Sequence, residues 1–188
     1  MAQPSESDLE RSARYERMWE FEMEAREQLT GRLQFALGLL TFLASILGYW
    51  VLKAKDVAAL GPFPGGLAGV LLVASAIFSV LAARKFIAGA TGQKYGVVPT
   101  AKELEDFWQS QREHFTKFPG AEPAEDMADA ALRTFLVSNY VKMASLNALN
   151  NQARYNALHW TTVHTFWGLA LAAAATLVIG LAAWAAGQ

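Results

Sequence analysis

Cysteine is absent from this chain of 188 residues, which excludes a disulfide framework, a thiolate zinc site and a cysteine nucleophile. An excess of either charge is absent too, since 17 acids face 16 bases for a formal net charge of −1. Nucleic acid held by gross phosphate attraction is therefore not expected. Residues 155–188 contain no Asp, Glu, Lys or Arg at all. Residues 5–30 contain no Gly or Pro, so nothing in that charged arm interrupts a helix.

What is present is three long apolar runs, at 33–52, about 65–83 and 163–186. A hydrocarbon layer about 30 Å thick takes about 20 apolar residues in helix, and a helix satisfies its own backbone polar groups there. The sequence therefore predicts an all-α, three-span helical membrane protein with long cytoplasmic helical extensions. Its expected parts are an N-terminal helix over 1–31, a two-span hairpin over 32–87, a helical region over 88–160, and a third span with a tail over 161–188. A cleaved signal peptide is not expected, because charges fill residues 6–27 ahead of the first apolar run.

Orientation follows the Lys and Arg near each span. Arg11, Arg14, Arg17, Arg26 and Arg32 precede the first span, and nine more bases lie between the second and third. The first connection carries only Lys53 and Lys55, and the tail carries none. The N-terminus is expected in the cytoplasm and the C-terminus outside. Tyr49, Trp50 and Trp184 at the outer ends, with Trp160 and Trp167 near the inner end, suit the aromatic preference for the lipid boundary.

In the polar parts, Ser7 with Glu10 and Thr100 with Glu103 have capping-box spacing, and the second pair predicts a helix over about 100–116. Gly89, Gly92, Gly96 and Pro99 predict a loop before it, and Pro119, Gly120 and Pro123 a break after it. From about 124 the chain is expected to run as one helix into the third span.

Enzyme chemistry is thin. The run Gly89 to Lys94 lacks the spacing and the hydroxyl residue of a phosphate loop. His114, His159 and His164 are too few and ill spaced for zinc, and no carboxylate lies in any span. Neither an enzyme nor a metal or other cofactor is expected. The spans do carry small and polar stripes: Gln34, Gly38, Thr41, Ser45 and Gly48 in the first, Thr165, Gly168, Ala172 and Ala175 in the third, and more faintly Ser75, Ser79 and Ala82 in the second. Such stripes let helices approach closely, either within one subunit or around a water-filled path shared by several copies.

Asn147, Asn151 and Arg154 share one helix face just ahead of the third span. This Asn-x3-Asn-x2-Arg stripe, after a charged arm and a two-span hairpin, resembles the SLATT-like group of small bacterial membrane effectors from antiphage defence islands. The present chain adds a third span. The resemblance implies a homo-oligomeric pore or channel in the bacterial inner membrane, silent until a partner enzyme makes a nucleotide or oligonucleotide signal. The stripe would then knit neighbouring helices, or equally make caps within one subunit or contacts to lipid head groups. Lys94, Tyr95, Lys102, Trp108, Arg112 and Lys117 are the mixed basic and aromatic residues expected to meet such a ligand. The competing expectation is a non-conducting adaptor that anchors a soluble partner protein.

Overall fold

The structure, a computed structural model, describes residues 6–91, 94–118 and 123–187. The described residues form five helices and no strand: α1 (Glu6–Leu52), α2 (Ala54–Ala59), α3 (Pro62–Ala90), α4 (Ala101–Lys117) and α5 (Ala124–Ala186). Three of them, α1, α3 and α5, are long and apolar enough to cross a membrane. Their apolar side chains stay largely uncovered: Phe35, Val51, Val70, Leu177 and Leu181 are each more than 60% exposed. A water-soluble domain rarely leaves contiguous apolar surface on that scale, whereas a bilayer supplies the missing solvent.

The expected helices hold with shifted ends. Gly31 does not interrupt α1, and Ser7, expected as a cap, lies inside it because α1 already starts at Glu6. The helix α3 starts on Pro62, where a missing amide costs nothing, and runs through Arg84 and Lys85 to Ala90. Gly89 is therefore a buried helical residue and the loop begins only at Thr91. Gly92, Pro119 and Gly120, expected as breakers, lie outside the described residues. The short α2 was not legible; its turn into α3 uses Gly61 at φ 93°, a left-handed conformation that glycine adopts without steric cost.

The chain divides into two compact units, and α1 and α5 each contribute a segment to both. The first comprises residues 1–27 and 94–152. Here α1 and α5 run parallel, with Trp19 against Tyr140 and Glu22 bonded to Asn151, while α4 lies antiparallel on α5. Phe107 stacks on Phe135 with ring centres 4.4 Å apart, and Trp108 Nε1 donates to Asp129 Oδ1 at 2.7 Å. Thr100 and Glu103 form the expected capping box at the start of α4.

The second unit comprises residues 28–93 and 153–188 and is an up-down-up bundle. Its α3 crosses back between the parallel α1 and α5, as Gly89 near Ala157 and Ser75 on Gly168 require. Small residues set how closely these helices approach. The buried residues of α3 are Ala68, Ser75, Ala82 and Gly89, one every seventh position. Ser75 Oγ donates to Gly168 O at 2.7 Å, and a methyl group added at Gly168 would lie 2.6 Å from Leu43 Cδ2. Trp50 Nε1 bonds Thr176 Oγ1 at 3.1 Å.

Candidate functional site

One burial pattern organises the polar residues of α5. Ala144, Asn147, Asn151, Arg154, Leu158, Thr161, Thr165, Gly168, Ala172 and Ala175 are all buried and follow alternating steps of three and four. A stripe of period 3.5 is what parallel and antiparallel helices keep between them when they wind around one another. The Asn147, Asn151, Arg154 stripe and the Thr165, Gly168, Ala172, Ala175 stripe, separate in the sequence reading, are thus successive stretches of one inward seam.

In the first unit, that seam fastens a non-helical strap, residues 94–100, to α5. Asn147 has no exposed surface; its Oδ1 accepts from Gly96 N–H at 2.7 Å and its Nδ2 donates to Gly96 O at 3.1 Å. Asn151 Nδ2 donates to Glu22 O at 2.7 Å and to Glu22 Oε2 at 2.9 Å, while its Oδ1 accepts from Tyr95 O–H at 2.8 Å. Asn150, which sequence reasoning passed over, donates from Nδ2 to Lys94 O at 2.7 Å. A side-chain amide offers both a donor and an acceptor, and this is what a segment without regular backbone pairing needs. Gly96 is required here by space, since a methyl group would overlap Met143 Sδ and lie 3.0 Å from Met143 Cβ.

In the second unit, Arg154 is 8% exposed and donates from Nε to Gly89 O at 3.2 Å and from Nη2 to Thr30 Oγ1 at 3.4 Å. Gly89 O belongs to the last turn of α3, where carbonyls lack helical partners and a cation is favoured. Among the described residues no buried side-chain nitrogen or oxygen lacks a hydrogen-bond partner.

The first-span stripe lies elsewhere. Gln34, Gly38, Thr41, Ser45 and Gly48 are all exposed, roughly 150° around α1 from the inward face of Leu29, Leu33, Ala36 and Leu43. Thr41 and Ser45 return their hydroxyls to the carbonyls of Leu37 and Thr41, both at 2.9 Å. The fainter stripe of α3 points inward, with Ser75 and Ala82 buried and Ser79 half-buried.

The six expected ligand contacts do not converge. Tyr95 is tied to Asn151 and lies under Arg26, whose guanidinium carbon is 4.5 Å from the ring centre. Trp108 and Arg112 sit one turn apart on α4, and both are used against α5, Arg112 through an ion pair with Glu125 at 3.2 Å. Lys102 and Lys117 are exposed at opposite ends of α4, about 22 Å apart along the axis. Lys94 is exposed on the strap. No group of His, Asp and Glu able to hold a metal occurs among the described residues. No protein family matches this chain, and no curated protein or solved structure does either.

Proposed function

We propose that the protein is a homo-oligomeric membrane pore whose copies meet along the outward stripe of α1. The observation carrying this reading is the contrast between stripes. Those of α3 and α5 are consumed inside the protomer, while Gln34, Gly38, Thr41, Ser45 and Gly48 face away from it. Thr41 and Ser45 satisfy their hydroxyls within α1, but the Gln34 amide is poor company for acyl chains and the small residues admit a close neighbour, so a second helix or a water-filled path suits this face. Three helices packed this tightly enclose no conduit of their own, so conduction requires several copies.

In this reading the protein is a depolarising antiphage effector of the bacterial inner membrane, with its N-terminus in the cytoplasm, and a nucleotide or oligonucleotide signal controls it. The strap at 94–100 is where that signal acts, with Lys94 for phosphate and the Tyr95 ring for a base that displaces Arg26. The test is membrane potential in cells expressing the full chain, alongside the mass of the detergent-purified particle. Replacing Thr41 and Ser45 with Leu abolishes depolarisation while leaving helicity intact. A monomeric particle, or unchanged potential under activating conditions, defeats the proposal.

A second reading, a membrane adaptor, rests on a groove in the first unit of about 610 Å³ lined by Phe107, Phe115, Met127 and Phe135. An amphipathic helix of a soluble partner suits such a surface. Phe135→Glu removes partner recruitment in that case and leaves conduction untouched in the first.

A further inference from the structure

The second unit has an open surface groove of about 670 Å³ between α1 and α5, in which Leu158 is buried and the other lining residues are exposed. Two parallel rows line it, each with the same i, i+4, i+7 spacing: Gln28, Arg32 and Phe35 on α1, and Tyr155, His159 and Thr162 on α5. Read along the helices, each row passes from polar or amphipathic groups towards the apolar run. Arg32 is the last charge before the uncharged stretch 33–52, and Tyr155 is the first residue of the stretch 155–188 that has none. The groove therefore sits at the level where a lipid phosphate meets its acyl chains.

Gly31 is one of its exposed lining residues. This glycine lies inside α1, where glycine costs about 1 kcal/mol relative to alanine. No close contact in the protomer demands it, because a methyl group added there would find nothing within 4 Å. What the missing side chain leaves is room beside Arg32. Arg32 makes no ion pair among the described residues; Asp56, the only acid in residues 28–93 and 153–188, pairs with Lys53 at 3.0 Å, and the nearest acid along α1 is the exposed Glu27, directly before Gln28. Arg84 and Lys85, near the end of α3, are exposed and add to the same sign.

We infer that this groove binds an anionic phospholipid, its phosphate held by Arg32 with a donor from the Tyr155 hydroxyl, and an acyl chain against Phe35. Basic recesses between membrane helices are the usual seat for such headgroups. The inference rests on the membrane reading and is independent of conduction.

The full chain, purified in dodecyl maltoside, is titrated with dioleoylphosphatidylglycerol, dioleoylphosphatidylcholine and inorganic phosphate, with bound lipid read by native mass spectrometry and particle mass by light scattering. The wild-type protein retains phosphatidylglycerol in preference to phosphatidylcholine. Arg32→Gln weakens that preference about fivefold, the worth of one basic residue beside an anionic headgroup. Gly31→Leu fills the recess and expels the lipid, whereas Lys55→Gln, in α2, changes nothing. Equal retention of the two lipids overturns the assignment, as does displacement of phosphatidylglycerol by millimolar phosphate, which would make the occupant a free anion. A change of particle mass in Gly31→Leu also overturns it, by making the recess a contact between copies. Should Arg32→Gln not fold, Gly31→Leu decides alone: bound phosphatidylglycerol refutes the site and its loss supports it. Selective lipid binding by a non-conducting monomer would sink the pore and spare this site; conduction without selectivity would do the reverse.

Discussion

Asn147 satisfies both backbone polar groups of Gly96 with one side chain, accepting from the amide at 2.7 Å and donating to the carbonyl at 3.1 Å. The pairing is fully buried, so its loss strands groups that water does not reach. Each unsatisfied buried group costs about 1–3 kcal/mol, and Trp19 Nε1, at 3.5 Å from Gly96 O, offsets only part of one. Asn147→Ala is expected to destabilise the protein by about 2–4 kcal/mol on that basis, read as thermal unfolding in detergent. Gly96→Ala acts from the other side through its clash with Met143. The double variant Gly96→Ala, Met143→Ala recovers only part of the loss. It removes the sulfur but keeps the Cβ and the backbone of residue 143, which lie 3.0 and 3.1 Å from the added methyl.

Ser75 and Gly168 make a separate prediction in the second unit. Removing the Ser75 hydroxyl frees Gly168 O from its bond at 2.7 Å and leaves a small void. Interhelical hydrogen bonds in membranes are worth about 0.6–1.7 kcal/mol, so Ser75→Ala lowers stability by that amount. Ser45→Ala is expected to leave protomer stability nearly unchanged, since Ser45 is exposed and bonds only within its own helix. Gly168→Leu is far worse than either. Leu43→Ala partly relieves it by removing the nearest atom, Leu43 Cδ2.

How legible all this was depends on what each feature needs. Apolar run length and local capping are properties of contiguous sequence, which is why the three long helices and the Thr100–Glu103 box could be read directly. Which face of a helix turns inward is not such a property. The first-span stripe and the third-span stripe are both built of small and polar residues at nearly the same spacing, yet the more polar one is exposed and the other buried, because tertiary packing decides. The period of 3.5 running from Ala144 to Ala175 was present in the sequence throughout. Its change of chemistry, from amides through Arg154 to Gly and Ala, hid it. Asn150 was missed because its partner, Lys94 O, is a backbone group that no side-chain pattern reveals.

Glu103 gives the fold a local pH dependence. Its carboxylate accepts from Thr100 N–H at 2.7 Å and from the Thr100 hydroxyl at 2.9 Å. These bonds favour the charged form, the backbone bond most, and hold the carboxyl below its ordinary 4.5. A depressed folded-state value means that the contribution is complete above 4.5 and is lost as pH falls through the lowered value. Amide exchange in the first turn of α4 is therefore expected to accelerate below the ordinary carboxylate range, beyond the intrinsic change with pH. Glu103→Gln removes that dependence, because the amide oxygen still accepts but does not titrate.

Trp108 and Arg112 distinguish a packed helix from an exposed ligand surface. Trp108 is half-buried and anchors α4 to α5 through Asp129, whereas the Arg112–Glu125 pair is more than half exposed on both sides. Truncating a half-buried tryptophan costs about 2–4 kcal/mol through lost apolar contact, while an exposed ion pair is worth about 0–1 kcal/mol. Limited trypsin digestion is the suitable readout, since Lys102, Arg112 and Lys117 place cleavage sites along α4. Trp108→Ala is expected to accelerate cleavage there strongly and Arg112→Ala, judged at the two lysines, only slightly. If the two residues instead serve mainly to stack a nucleotide, both substitutions leave digestion of the unliganded protein at wild-type rates. Protection by added nucleotide then disappears in each. The ordering of the two variants thus decides whether these residues belong to the framework or to a binding surface.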